Sequence, residues 1–324
     1  MTRLLIPVLA MAPALAAAQA APPSHDPRHP DAAFESWTLL TEITAPDGGH
    51  IGLSVVFFTG SVLGLRASGI YVLVLEDRDG GSATYRQIAL PLVHQTRHET
   101  DRLLEEYRGN RLERASETGA YEVRVRVDDL ELSLDLQPGA PAVDLGSQPV
   151  GNGKTERVVL VPRGRAGARI VQGGDTLIAF GSGLLQHSWG DPPEKTAPGT
   201  ILAIALEDGT TVSVLHGEET SSHSMSLARP AGAPVVISDF TLRADSTTIG
   251  AAGDRFGVAW RILSASSGVD LAIEFSGDGQ EVSLMGIPYW FGRCAVSGTV
   301  AGQPVEGIGH VYIRAMAGTS APGP

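Results

Sequence analysis

Cysteine is almost absent from this chain, since Cys294 is the only one among 324 residues. A disulfide within the chain is therefore excluded, and the fold must be held together by core packing. Cys294 lies in the strand-like run "FGRCAVSGTV" with no base beside it, which favours a small buried residue over a nucleophile.

Basic residues are also scarce. Lysine and arginine total 24 against 36 aspartate and glutamate residues, which gives a net charge of −12. Basic blocks with interleaved aromatic residues, phosphate-binding loops and dinucleotide fingerprints are all missing from the sequence. The sequence therefore predicts no nucleic-acid partner and no cofactor, and its negative charge disfavours binding to anionic membranes.

The one long apolar run is at the N-terminus, where Arg3 precedes "LLIPVLAMAPALAAA" and the small residues Ala18 and Ala20 flank Gln19. This order of charge, apolar stretch and small-x-small site is typical of a signal peptide, here residues 1–20. We therefore expect a secreted or periplasmic protein. No later run reaches the apolar length of a membrane span.

Helical periodicity is rare, whereas period-2 alternation runs through the chain. The runs "YEVRVRV" (121–127) and "LELSLDL" (130–136) alternate strictly around Asp128-Asp129, a pattern that predicts a β-hairpin. The 39 glycines suit a chain with many turns. One charged segment, 93–114, has apolar residues at helical spacing and predicts one short helix.

The sequence predicts an all-β fold of two antiparallel barrels or sandwiches in tandem, because roughly sixteen strand-like runs show no βαβ rhythm. The stretch "DPPEKTAPG" (191–199) divides these runs into two sets. We expect an extended lead-in over 21–35, an N-terminal barrel over 36–192 and a C-terminal barrel over 193–318. A small barrel of this kind leaves room for one small ligand, typically apolar.

Four sequence stretches carry a family resemblance through their order and spacing: "SWTLLTEITAPDGGHIGLSVVFF", "GSGLLQHSWGD", "ILAIALEDGTTVSVLH" and "PYWFGRCAVSGTVAGQPVEGIGHVYI". Together they resemble the AttH-like and carotenoid 1,2-hydratase (hydroxyneurosporene synthase) family of secreted, tandem lipocalin-like proteins. The resemblance runs from Trp37 to Ile313, most of the chain. It implies two lipocalin-like barrels and a small apolar, isoprenoid-like ligand.

The resemblance also implies a site in the central stretch "QHSWGD", where the family's His and Trp fall on His187 and Trp189. The Tyr and the Asp of the family's next hairpin fall on Val214 and His216. Two further positions depart from the family pattern: the family's Asp before the His is Gln186 here, and the Glu of its closing motif is Phe291. The scaffold and half of the implied site are thus kept, while the carboxylates are replaced.

Addition of water to an alkene needs a proton donor strong enough to form a cation, and a buried carboxylic acid suits that step. The ring face of Trp189 suits stabilisation of the cation, whereas a buried His216 tends to be a neutral base. The predicted catalytic residues are His187, Trp189 and His216, and we expect them to converge on one cavity. Ligand contact without catalysis and a structural seal of the barrel are the alternatives for His187 and Trp189.

Aromatic residues make up only 6% of the chain, and several fall in the family-like stretches. Core packing is the simplest role for each of them. The predicted ligand-binding residues are Trp37, Phe57, Gln186, Trp260 and Trp290.

Two pairs of histidines have a spacing that is compatible with metal binding. His94 and His98, with Asp101 and Glu105 near them, form a zinc half-site on a helix, but an exposed charged helix explains them better. His25 and His29 resemble the flexible histidines that bind transition metals without function. The sequence therefore predicts no metal site.

The leading hypothesis is an exported protein that binds a small apolar molecule and transforms it by water addition or cyclisation, a hydro-lyase if it is an enzyme. A non-catalytic periplasmic carrier is the second hypothesis, because a carrier needs no titratable group in its cavity. A secreted hydrolase is the third, although "GSG" around Ser182 lacks the nucleophile-elbow pattern.

Overall fold

The computed structural model describes residues 26–62, 65–76, 82–89, 96–99, 101–151, 153–191, 199–217, 223–230, 232–250, 253, 255–275, 281–284 and 287–314. Within these ranges every regular element is a β-strand, and no helix has the length and apolarity to cross a bilayer.

Twelve strands form the N-terminal sheet. They are β1 (Phe34–Thr44), β2 (His50–Val62), β3 (Leu65–Glu76), β4 (Ser82–Ala89), β5 (Thr96–His98), β6 (Leu104–Tyr107), β7 (Asn110–Arg114), β8 (Tyr121–Val127), β9 (Leu130–Gln137), β10 (Val143–Gly151), β11 (Lys154–Gln172) and β12 (Asp175–Gly190). Their order is β4-β3-β2-β1-β12-β11-β9-β8-β7-β6-β5, and β10 also pairs with β11.

Ten strands form the C-terminal sheet. They are β13 (Gly199–Leu206), β14 (Thr211–Gly217), β15 (His223–Ala228), β16 (Val235–Ile237), β17 (Thr241–Ile249), β18 (Arg255–Ser264), β19 (Val269–Phe275), β20 (Glu281–Leu284), β21 (Ile287–Val300) and β22 (Gln303–Arg314). Their order is β16-β15-β14-β13-β22-β21-β19-β18-β17, and β20 also pairs with β21. The predicted all-β fold of two antiparallel, lipocalin-like barrels in tandem is confirmed. The domain limits at 36–192 and 193–318 stay predictions.

The hairpin predicted from strict alternation is present as β8 and β9. Tyr121 pairs with Leu136 and Val127 with Leu130, so the apolar residues of both strands share the buried face. Asp128 takes the left-handed conformation, with φ of 54°, that a tight hairpin turn favours.

The helix predicted over 93–114 is wrong for the residues that the structure describes, because this segment forms β5, β6 and β7. Arg108 and Gly109 both have positive φ, 53° and 80°, which is the signature of a two-residue β-turn between β6 and β7. The spacing of leucines was misleading because a turn in the middle of the segment restarts the alternation. His94 lies outside the described residues, as does His25.

Three apolar clusters organise the molecule. One fills the N-terminal barrel and includes Trp37, Phe57 and Tyr107, and another fills the C-terminal barrel and includes Trp260 and Trp290. The third packs the outer faces of the two sheets against each other, and its members include Phe34, Phe58, Ile201, Tyr289 and Phe291. Each strand near the junction therefore has one face in a barrel and the other between the barrels.

Candidate active site

Strand β1 brings the N-terminal candidates together because it lies between β2 and β12. Trp37 pairs with Phe57 on β2 and with His187 on β12, and Glu35 pairs with Trp189. Alternate residues of a strand share a face, and Trp37 and Phe57 belong to the core of the N-terminal barrel. These five residues therefore lie side by side on the inner face of that barrel.

Glu35 is the centre of this group and is fully buried. Its Oε1 lies 2.9 Å from Nε2 of His187 and 2.9 Å from Nδ1 of His29. The backbone N–H of His29 donates to both carboxylate oxygens, at 2.9 and 3.2 Å, and Nε of Arg28 is 4.0 Å from Oε2. A buried carboxylate is thus surrounded by donors and by one cation.

The imidazoles are fixed by stacking on indole rings. The ring of His187 stacks on Trp37 at a centroid distance of 4.7 Å and also contacts Trp189 at 4.7 Å. His29 stacks on Trp189 at 4.1 Å with an interplanar angle of 4°. The guanidinium of Arg157 lies 5.8 Å from the centre of the same indole. Packing on both sides limits rotation of the rings, so their nitrogens stay aimed at Glu35.

These contacts set the charge of Glu35. Burial by itself raises the pKa of Glu35, but the hydrogen bonds from His187 and His29 outweigh it and hold the pKa below its ordinary value. Glu35 is therefore an ionised acceptor at neutral pH. Since an ionised carboxylate only accepts, the ring nitrogens that face Oε1 carry protons and donate to it.

A second buried carboxyl lies in the same barrel, at Glu105 on β6. It is two residues from Tyr107, which packs in the N-terminal core, so both side chains point inward. Oε2 of Glu105 contacts Nδ1 of His98 across the β5–β6 pair, while Oε1 is buried without a hydrogen-bond partner among the described residues. One oxygen of this carboxyl is thus unused by the protein.

The pKa of Glu105 shifts in the opposite direction to that of Glu35. Burial raises it above its ordinary value, the hydrogen bond with His98 offsets this only in part, and the charge of Glu35 adds to the rise. Two carboxyls in one barrel whose pKa values are shifted in opposite directions are an arrangement that general acid–base catalysis uses.

The lead-in segment before β1 completes the cluster. Asp26 accepts a hydrogen bond of 2.7 Å from the Tyr121 hydroxyl and forms an ion pair with Arg114. Two residues later, the guanidinium of Arg28 donates to Oγ1 of Thr59 at 3.3 Å. These anchors hold the lead-in across the barrel and so place His29 over Glu35.

Glu35, His29 and His187 also offer three metal-ligand atoms within 4.8 Å of one another. Glu35 is joined to each imidazole by a hydrogen bond of 2.9 Å, and the protons of these bonds lie where a metal ion would bind. We therefore assign the cluster to proton chemistry.

A family model described as AttH-like matches residues 14–313. The chain belongs to the AttH-like family. This confirms the resemblance drawn from the four sequence stretches. No curated protein matches the sequence.

Three solved structures share the fold of this AttH-like protein. A crystal structure described as an AttH candidate from Nitrosomonas europaea superposes with a TM-score of 0.75 at 20% identity, and covers 95% of this chain and 98% of its own. Kievitone hydratase from Nectria haematococca gives a TM-score of 0.72 at 16% identity, with 93% and 94% covered. CghA gives 0.59 at 14% identity, with 90% and 94% covered.

The structure does not bring His216 to the cluster, so the expected convergence of His187, Trp189 and His216 is wrong. His216 lies on β14, two residues from Val214, which is buried in the C-terminal core. Its nearest ring neighbour is His223, at 6.3 Å, and burial together with His223 lowers the pKa of His216. The hairpin after β12 returns in the other sheet, which alternation along one strand cannot reveal.

Three of the predicted ligand-binding residues are also separate from the cluster. Trp260 and Trp290 are buried inside the C-terminal barrel, where Trp290 packs 5.5 Å from Phe256. Gln186 precedes His187 and so faces the opposite side of β12, where its amide donates to Ser188 Oγ at 3.0 Å. Trp37 and Phe57 are the two that join the cluster, and the roles of all these residues stay predictions.

The AttH-like site contains residues that the sequence did not single out for catalysis. The sequence places Glu35 in the lead-in, whereas in the structure it lies on β1, two residues from Trp37 and on the same face. The sequence pattern favours an exposed helix for Glu105 and His98, whereas the two residues pair across a hairpin. The sequence favours a flexible histidine at position 29, and no local pattern marks His29 as a partner of a buried carboxylate.

We expect the two carboxyls to affect stability in opposite ways as pH changes. The lowered pKa of Glu35 stabilises the fold above the unfolded value of 4.5, and this contribution is lost as pH falls through the folded pKa. The raised pKa of Glu105 has the opposite effect. As pH rises above 4.5, Glu105 ionises in the unfolded chain before it ionises in the folded protein, so the fold loses stability. Glu35→Gln should therefore lose stability most at neutral pH, while Glu105→Gln should gain relative to wild type as pH rises.

The measurement is the free energy of unfolding in urea at several pH values between about 4 and 7 for wild type and both variants, a range that brackets the ordinary glutamate pKa. Both variants replace a glutamate by glutamine, so a difference between their pH profiles reflects the different surroundings of Glu35 and Glu105. Parallel pH profiles for the two variants would contradict the assigned protonation states.

Proposed function

We propose that this AttH-like protein is a hydratase that adds water to a carbon–carbon double bond of a small apolar molecule inside the N-terminal barrel. The observation that carries the proposal is the pair of buried carboxyls with opposite pKa shifts, Glu35 and Glu105. The fold shared with a protein named as a hydratase supports the same reaction class.

In the proposed reaction, the neutral carboxyl of Glu105 donates its proton to one alkene carbon, and the positive charge develops on the other. Since His29 and Arg157 lie against the ring of Trp189, the aromatic ring of Phe57 on the same inner face stabilises that cation. A water molecule attacks the cationic carbon while His187 accepts a proton from it, and Glu35 stabilises the resulting imidazolium through its 2.9 Å hydrogen bond. The proton on His187 then returns to Glu105 through solvent, so the sum is alkene plus water giving alcohol.

The roles follow from the environment of each group. Oε1 of Glu105 is buried with no described partner, so a substrate can take its proton without breaking an existing hydrogen bond. Glu35 is saturated with donors and is therefore a poor base itself, but it orients His187 and favours its protonated form. An isoprenoid alkene suits this site best because protonation gives a tertiary cation.

The test is incubation of the purified protein with a panel of isoprenoid alkenes in ¹⁸O-labelled water, followed by mass spectrometry. Hydration gives an alcohol that carries the label, whereas cyclisation gives an unlabelled isomer. Recovery of every alkene unchanged, in the presence of demonstrated binding, would rule the hydratase proposal out.

A carrier without chemistry is the second candidate, and the position of His29 favours it. This ring stacks 4.1 Å from Trp189 and so occupies a face that a substrate would need. A carrier would bind an apolar ligand and release it unchanged, so neither the wild-type protein nor Glu105→Gln would form labelled alcohol.

We also propose that the protein is exported, which the signal-like residues 1–20 support. N-terminal sequencing of the protein from its native host should start at Ala21. A soluble form that begins at Met1 and carries the full activity would contradict export.

A further inference from the structure

A cleft of about 390 Å³ lies outside both barrels, between the outer faces of the two sheets, and we call it the interbarrel cleft. On β1 it is lined by Leu40 and Glu42, which alternate away from Glu35 and Trp37. The cleft is therefore on the opposite side of β1 from the Glu35 cluster.

Small residues create this space. At one end of the junction Ile201, Tyr289 and Phe291 fill the gap between the sheets. Further along the same strand faces, β13 and β21 carry small side chains, and so does the opposing wall of β12. The small lining residues are Ser182, Gly183, Ala203, Ala205, Ala272 and Ala295. The walls thus stand apart, and a volume of this order suits a small organic molecule.

Glu42 projects from the N-terminal sheet towards an arginine and a histidine of the C-terminal sheet. Its Oε1 lies 3.2 Å from Nε of Arg293 and 3.3 Å from Nε2 of His310, and the last two residues pair across β21 and β22. Both oxygens of Glu42 and Nε2 of His310 are nevertheless buried without a hydrogen bond among the described residues. Buried oxygens of a carboxylate in this state point to a missing donor.

The other charged residues of the cleft indicate that the missing hydrogen-bond donor is a cation. Glu207, Glu274 and Glu306 line the cleft and are exposed at its mouth. The one guanidinium in the lining, that of Arg163, is already used as a donor to the carbonyl of Leu206 at 3.3 Å. Carboxylates therefore dominate the entrance, and such a field attracts cations and repels anions.

We propose that the interbarrel cleft is a binding site for a small organic amine, held in its protonated form. The ammonium group donates hydrogen bonds to Glu42, the carboxylates at the mouth attract it, and an apolar stem packs on Leu40, Leu184 and the alanines of the opposite wall. The site is independent of the proposed hydratase chemistry because it uses the other face of β1.

The experiment is isothermal titration calorimetry of the full chain with three probes of equal length: n-hexylammonium, n-hexanol and n-hexanoate. We expect hexylammonium to bind with a Kd of about 1 mM or tighter and each of the other two to bind at least about tenfold more weakly. Ala205→Phe fills the cleft and should weaken hexylammonium binding at least about tenfold. Glu42→Gln should have a similar effect, whereas Glu131→Gln, a half-buried position on β9 that does not line the cleft, should have none.

Equal binding of the three probes would overturn the proposal, as would unchanged affinity in Ala205→Phe or no binding of hexylammonium at all. Since Glu42 joins the two sheets, circular dichroism checks the folded fraction of Glu42→Gln, and a variant with a lowered folded fraction is set aside. The double change Glu274→Gln and Glu306→Gln at the exposed mouth then replaces it, and unchanged affinity in that variant also overturns the proposal.

Discussion

Glu105→Gln is expected to lower turnover of a hydrated alkene by roughly 10²- to 10⁴-fold, the usual cost of losing a general acid. The amide keeps the shape of the neutral carboxyl but has no acidic proton, so affinity for the alkene should change little. Kinetics of labelled-alcohol formation give the first quantity, and quenching of tryptophan fluorescence by the bound alkene gives the second.

Glu106→Gln is the matched control for this change. Glu106 is the next residue on β6 and therefore faces away from the core, so its variant should have wild-type turnover. Wild-type turnover in Glu105→Gln would remove Glu105 from the mechanism. A large loss in both variants would point to damage of β6 instead of to loss of the acid.

His187→Ala and His216→Ala should differ sharply. The first removes the imidazole that pairs with Glu35 and stacks on Trp37, and we expect turnover to fall by roughly 10²-fold or more. The second changes a residue inside the other barrel, beside His223, and should leave turnover within about twofold of wild type.

The pair of histidine variants compares the site in the structure with the one that sequence similarity implied. Both are assayed for turnover and for unfolding in urea, so that loss of stability is separated from loss of chemistry. A large, specific loss of turnover in His216→Ala would mean that the C-terminal barrel takes part in the reaction. Unchanged turnover in His187→Ala would exclude the Glu35 cluster as the active site.

Alternation along single strands was enough to predict much of this molecule. The hairpin of β8 and β9 follows directly from its sequence, and the spacing of His187 and Trp189 correctly places both on one face. Family resemblance added the choice of barrels over sandwiches, which alternation along single strands leaves open.

The missed features all depend on which strands become neighbours. His98 meets Glu105 because β5 pairs with β6 in a segment whose leucines mimic a helix. His216 is two strands after Trp189 in the chain yet belongs to the other sheet. A carboxylate such as Glu35 becomes recognisable only once β12 lies beside β1, since its pKa depends on partners far away in the sequence.

The position of β1 between β2 and β12 has a consequence for the growing chain. Its second neighbour is the last strand of the sheet, and the hydrogen bond between Glu35 and His187 spans 152 residues. At a synthesis rate of about 5–20 residues per second, that separation corresponds to roughly 8–30 s. During this time one edge of β1, the strand that carries Trp37, has no partner and is open to pairing with another chain. A nascent chain is thus most vulnerable to aggregation just before its buried charge cluster can assemble.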